Sequence, residues 1–79
     1  MINIKILGSG CANCKRLEQI TRKVVETLAL EAEIEKVTDF NEITKWPILS
    51  TPGLVINDKV VSSGRIPSET QITDWLVSA

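Results

Sequence analysis

Residues 2–28 read INIKILGSGCANCKRLEQITRKVVETL, and the order of patterns within them sets the architecture. Ile2, Ile4 and Ile6 recur with period two, so Ile2–Leu7 is predicted as a strand. Asn3 and Lys5 fall on its other, partly covered face. Gly8-Ser9-Gly10 then breaks the strand. From Ala12 to Leu28 the apolar residues Leu17, Ile20, Val24, Val25 and Leu28 follow helical spacing. Cys14 precedes Leu17 by one turn and shares the buried face, whereas Cys11 sits at the helix tip.

The remaining chain is read outward from that unit. Ala32–Val37 alternates charged with apolar residues, as suits a short edge strand. Joined to the first strand through a helix, it is expected to run parallel by a right-handed crossover. Asp39 with Glu42 resembles a capping box for a short helix over Phe40–Lys45, which Pro47 closes by pushing Trp46 out of helical geometry. Gly53–Ile56 and Lys59–Ser62 are apolar strands joined by Asn57-Asp58, residues that tolerate the positive φ of a tight hairpin. Ser68 with Gln71 is a second capping pair, and Ile72, Trp75, Leu76 and Ala79 give the last helix one apolar face. The expected order is β-α-β-α-β-β-α, an α/β fold. No repeat, low-complexity tract or linker interrupts it, so residues 1–79 are expected to form one domain.

Composition narrows the function. Of 79 residues, 43% are hydrophobic and 24% charged, the balance of a globular domain with one modest core. Nine basic against ten acidic residues leave a net charge of −1, which supplies no footprint for a phosphate backbone. Nucleic acid is therefore not an expected partner. No apolar run is long enough to span a bilayer, and MINIKILGSG is too short and too weakly charged for a signal peptide. A cytoplasmic monomer, with no membrane association, is the expectation.

Two cysteines and no histidine bound the chemistry. Histidine-dependent triads and zinc sites with histidine ligands are excluded. A bridge between Cys11 and Cys14 closes so small a loop that chain entropy gains only about 2 kcal/mol, a poor staple. The pair reads as chosen for reactivity. At a strand–helix junction, C-x-x-C has a redox reading. Cys11 lies where free amides and the helix dipole favour a thiolate, and Lys15 and Arg16 add positive charge. Cys14, one turn in, is shielded and placed to resolve a mixed disulfide. Gly8 and Gly10 are read either as clearing the approach of a protein partner to the sulfur or simply as turn glycines. Half of a zinc site would need a second chain to complete it, because no other cysteine or histidine exists. A soft-metal carrier for Cu(I), Zn or trivalent arsenic remains chemically open to a dithiol. Small copper-handling domains, however, run β-α-β-β-α-β with a methionine two before the first cysteine, where this chain has Ser9.

Gly8-Ser9-Gly10-Cys11-Ala12-Asn13-Cys14, Ser50-Thr51-Pro52 and the hairpin segment Gly53–Gly64 together resemble the thioredoxin superfamily, across nearly the whole chain. The likeness is to its compact bacterial and archaeal redox-active disulfide proteins. It implies a minimal thioredoxin fold, with a four-stranded mixed sheet and three helices. It implies thiol–disulfide exchange with target protein disulfides, Cys11 attacking and Cys14 resolving. By the same resemblance Pro52 is a cis-proline facing the cysteines. Thr51, Pro52, Ser63 and Gly64 then line the substrate groove, with Arg65 at its rim, and Gly10, Ala12, Asn13 and Lys15 support the pair. No cofactor or metal is implied. A separate thioredoxin-reductase-like protein or small thiols would regenerate the dithiol. The chain departs from full-length thioredoxins in lacking their N-terminal strand and helix, in carrying Ala12-Asn13 between the cysteines, and in having no obvious buried acid under the second one. Glutaredoxin is similar in size and strand order, but no clear glutathione-clamping set is present. A redox-sensing adaptor on the same fold is the third reading left open.

Overall fold

The computed structural model describes residues 1–48 and 50–79. The elements are β1 (Ile2–Leu7), α1 (Ala12–Thr27), β2 (Ala32–Val37), α2 (Phe40–Ile43), β3 (Gly53–Ile56), β4 (Lys59–Ser63) and α3 (Glu69–Val77). They build a four-stranded mixed sheet in the order β2-β1-β3-β4. The β1–β2 pair is parallel, and the β1–β3 and β3–β4 pairs are antiparallel. The α/β class, the element order and the edge position of β2 are those expected from the sequence.

Pleating separates two cores. Ile4, Ile6, Leu54 and Ile56 face α1 and α3, where Leu17, Val24, Ile72 and Leu76 complete the larger core. Leu7 and Val55 face the opposite side and meet Ile43 of α2, with Val37, Trp46, Ile48 and Val60 packed around them. That second side is thinly covered. Lys5 emerges there, with its ammonium 5.8 Å from the Trp46 ring centroid, a cation–π contact.

Local chemistry fixes the boundaries. Helix α1 ends in a Schellman arrangement: Ala29 N–H donates to Glu26 and Leu30 N–H to Val25, with Ala29 at φ 52°. The hairpin turn places both Asn57 and Asp58 at positive φ, the geometry that the sequence admits. Ser68 and Gln71 form the reciprocal capping box expected of α3.

Three expectations change. Helix α2 stops at Ile43 rather than Lys45, because Thr44 already serves as its C-cap. Asp39 caps it by accepting from Asn41 N–H, while Glu42 turns outward to Lys45, so the reciprocal half of the box does not form. Strand β4 runs through Ser63 and is irregular, since Leu54 pairs with Ser62 but Val55 with Val60, leaving Val61 as the extra residue of a bulge.

Candidate active site

The site grows out of strand register. Leu7 pairs with Val37 on one side and Gly53 on the other, and Gly53 pairs with Ser63. One step further along, Thr38, Gly8, Pro52 and Gly64 are therefore brought side by side at the end of the sheet. Two hydrogen bonds hold that row, Gly8 N–H to Val37 C=O at 2.9 Å and Gly64 N–H to Pro52 C=O at 2.9 Å. The Thr51–Pro52 peptide is cis. Thr51 is exposed and Pro52 buried.

From the row the chain turns through Gly8-Ser9-Gly10 into α1. Gly10 has φ +86° with nothing within 4 Å of where its β-carbon would lie, so glycine is required there by conformation and its surroundings are open. Gly8 is different. A β-carbon on it would collide with Cys14 Sγ and come 3.9 Å from Thr51 Cβ. Its missing side chain seats Cys14; the sequence reading, in which it clears the way for a partner, is corrected on this point.

Cys11 is the N-cap of α1, and its Sγ accepts from the Cys14 N–H at 3.1 Å. Cys11 and Cys14 form a disulfide with a Cα separation of 5.0 Å. The two sulfurs are unequal. Cys11 is exposed, and Cys14 is 5% exposed beneath it. Ala12, Asn13, Lys15 and Arg16 are all exposed around this tip, and no acidic residue occupies the first turn to offset the two cations. Thr51, Pro52 and Gly64 are thus gathered beside Gly8 and Cys14. Ser63 ends β4 opposite Gly53, and Ser63 and Arg65 are exposed on either side of Gly64.

One feature of the site is absent from the sequence reading. Beneath Cys14 lies a cavity of about 70 Å³ whose walls include Glu18, Lys36 and Thr38. The Glu18 carboxylate is 19% exposed, 2.9 Å from Arg22 Nε and 3.7 Å from Lys36 Nζ. The signal was available, since Glu18 is one helical turn beyond Cys14 and on the same face.

A strand, a glycine turn and a helix capped by the first of two cysteines, facing a Thr-Pro segment, define a dithiol exchange site. Residues 2–77 match the family described as the thioredoxin domain, and the chain belongs to that family. It is 44% identical over 78 residues to a thioredoxin of Methanocaldococcus jannaschii, covering 99% of this chain and 90% of that one. It is 36% identical over 72 residues to a thioredoxin of Methanothermobacter thermautotrophicus, covering 91% and 94%. The fold is shared with the germline-specific Drosophila melanogaster thioredoxin Deadhead, at a TM-score of 0.68 and 18% identity over 98% of this chain and 79% of that one. The oxidised thioredoxin of Plasmodium falciparum superimposes with a TM-score of 0.64 at 20% identity, covering 98% and 79%.

The chain is accordingly a small thiol–disulfide oxidoreductase. Family membership implies disulfide-bearing targets and a reductant that restores the dithiol. No helix among the described residues is long and apolar enough to cross a membrane.

Proposed function

We propose that Cys11 is the attacking thiolate and Cys14 the resolving thiol, within a single domain spanning residues 1–79. The observation that carries this reading is the inequality of the two sulfurs: Cys11 is exposed at the helix N-cap, and Cys14 is buried behind Gly8. The N–H that Cys11 Sγ accepts, together with the helix dipole, stabilises negative charge on that sulfur. A target disulfide meets Cys11 first. Cys11 forms a mixed disulfide and expels one target sulfur; Cys14 then attacks Cys11, releases the other, and leaves the Cys11–Cys14 bridge.

The groove for the target is the row at the sheet end. Thr51 is exposed there beside buried Pro52, and Gly64, hydrogen-bonded to Pro52, continues the row with exposed Ser63 next to it. An extended target segment adds to this edge through backbone hydrogen bonds, which gives affinity without demanding one side-chain sequence. Gly10, Ala12, Asn13 and Lys15 shape the exposed tip, and Lys15 adds positive charge near the thiolate. Target proteins in the cytoplasm and a thioredoxin-reductase-like donor or small thiols complete the cycle.

Trapping tests the roles. Cys14→Ser is expected to accumulate mixed disulfides with target proteins, and Cys11→Ser to accumulate none. Equal trapping by both variants on non-reducing gels contradicts the assignment.

A further inference from the structure

The net charge of −1 conceals an uneven distribution. Of nine cationic side chains, five are held in ion pairs: Lys5 with Asp58, Arg22 and Lys36 with Glu18, Lys23 with Glu69, and Lys45 with Glu42. The other four, Lys15, Arg16, Lys59 and Arg65, are exposed and have no ion-pair partner among the described residues. Three of them stand at the cysteine end of the molecule. Lys15 and Arg16 occupy the first turn of α1, directly behind its N-cap Cys11. Arg65 follows Gly64, whose N–H donates to Pro52 in the row that receives the target. Lys59 lies at the other end, where β4 begins.

Acidic side chains are distributed the opposite way. Glu26 is in the last turn of α1, Glu31 precedes β2 and Glu33 is near its start. All three are exposed, and none is ion-paired among the described residues. Because β2 runs parallel to β1, they lie at the end of the sheet away from Cys11. Near the cysteines, Glu18 is outweighed by its two cations, and the Asp39 carboxylate accepts from Asn41 N–H at the start of α2. The first turn of α1 holds no acidic residue, and its dipole adds to the positive field. Cations there oppose that dipole, so Lys15 and Arg16 act against the stability of the helix. Holding Cys11 as thiolate gives those two a use. Arg65 comes from a different segment, after β4, and extends the same field to the groove.

We propose that this surface selects disulfides whose cysteines are flanked by aspartate or glutamate; the inference deepens the reading of Cys11 and its groove given above and rests on it. A target segment lying along Thr51, Pro52 and Gly64 carries its flanking carboxylates within reach of Lys15, Arg16 and Arg65. The carboxylates at the far end repel the same segment, so the field orients the encounter as well as strengthening it. The exchange itself is unaltered. The dithiol gives two electrons and two protons to the target disulfide, which leaves as two thiols, and the Cys11–Cys14 bridge remains.

Two peptide disulfides test this, identical except that glutamates flank the cysteines in one and lysines in the other. Each is reduced by the reduced full chain and, in parallel, by dithiothreitol, whose rates correct for the intrinsic reactivity of each peptide. At about 10 mM salt, where the screening length is about 30 Å, the glutamate peptide is expected to react at least about tenfold faster after that correction. At about 1 M salt, where it is about 3 Å, the ratio falls to about twofold or less. Arg65→Glu lowers the low-salt ratio by about threefold or more, and Lys15→Gln/Arg16→Gln/Arg65→Gln brings it close to one. Lys59→Gln, at the far end, leaves it alone. Charges that served only to hold the thiolate would slow both peptides equally when removed. A ratio unchanged in the triple variant, or a wild-type ratio near one at low salt, therefore overturns the proposal. A wild-type protein that reduces neither peptide, or a Cys11→Ser variant that reduces both as fast, overturns the Cys11 assignment instead, so the two failures are distinguishable.

Discussion

At Gly8 the backbone passes so close to Cys14 that any β-carbon would strike its sulfur. One absent methyl group thus decides how deeply the second cysteine sits. Gly8→Ala is expected to destabilise the oxidised protein by about 1–3 kcal/mol, the usual cost of overfilling a close-packed site. A denaturant midpoint unchanged from wild type would show that Cys14 has room to retreat. The sequence identifies Gly8 as important and misreads why, because the atom it makes room for comes from the next turn of chain. The inequality of Cys11 and Cys14 is legible, since Cys14 stands one turn before the core residue Leu17 and Cys11 does not. Glu18 repeats the same reasoning one turn later. It goes unnoticed in the sequence because a glutamate on a helix reads as a solvated charge, and its surroundings, Ile6, Gly8, Lys36 and Thr38, come from other parts of the chain.

Most elements whose signals are local are read correctly from the sequence, the half-formed Asp39–Glu42 box of α2 being an exception. The Asn57-Asp58 turn and the Ser68–Gln71 box are specified by adjacent residues, and both form. The bulge at Val61 has no such signal. Val60 and Val61 are adjacent and both apolar, and they serve opposite cores, Val60 towards Val55 and Val61 towards the α1–α3 side. Tertiary contacts decide that register. The end of α1 offers a direct test. Ala29 occupies the left-handed position of the Schellman turn, where a β-carbon is costly and glycine is not. Ala29→Gly is expected to stabilise the protein by about 0.5–1 kcal/mol, after allowing for the greater freedom of glycine in the unfolded chain. Urea unfolding checks it. A loss of stability would mean that Ala29 earns more from contacts than its conformation costs.

Across the whole molecule, the sheet carries α1 and α3 on one side and little more than α2 and Trp46 on the other. The larger core lies under the helix that bears the cysteines. Leu17, wholly buried one turn from Cys14, ties that helix to β1 and β3. Leu17→Ala is expected to cost about 2–5 kcal/mol and, in a chain this small, a large share of the total stability. Calorimetry would register it as a lower melting temperature, and an unchanged value would place the stability outside this core. The disulfide contributes little by comparison, since so short a loop gains about 2 kcal/mol in chain entropy. Exchange requires that this bridge be made and broken within the same fold.

The most direct test of that property is a redox titration of the full chain in thiol/disulfide buffers, with the oxidised fraction scored by the mass shift on alkylation. A working exchange pair gives one reversible two-electron transition, with a midpoint between about −270 mV, as in thioredoxin, and about −180 mV, as in protein disulfide isomerase. Cysteines that stay reduced across the whole range, or a bridge that no buffer opens, would contradict an oxidoreductase built on Cys11 and Cys14.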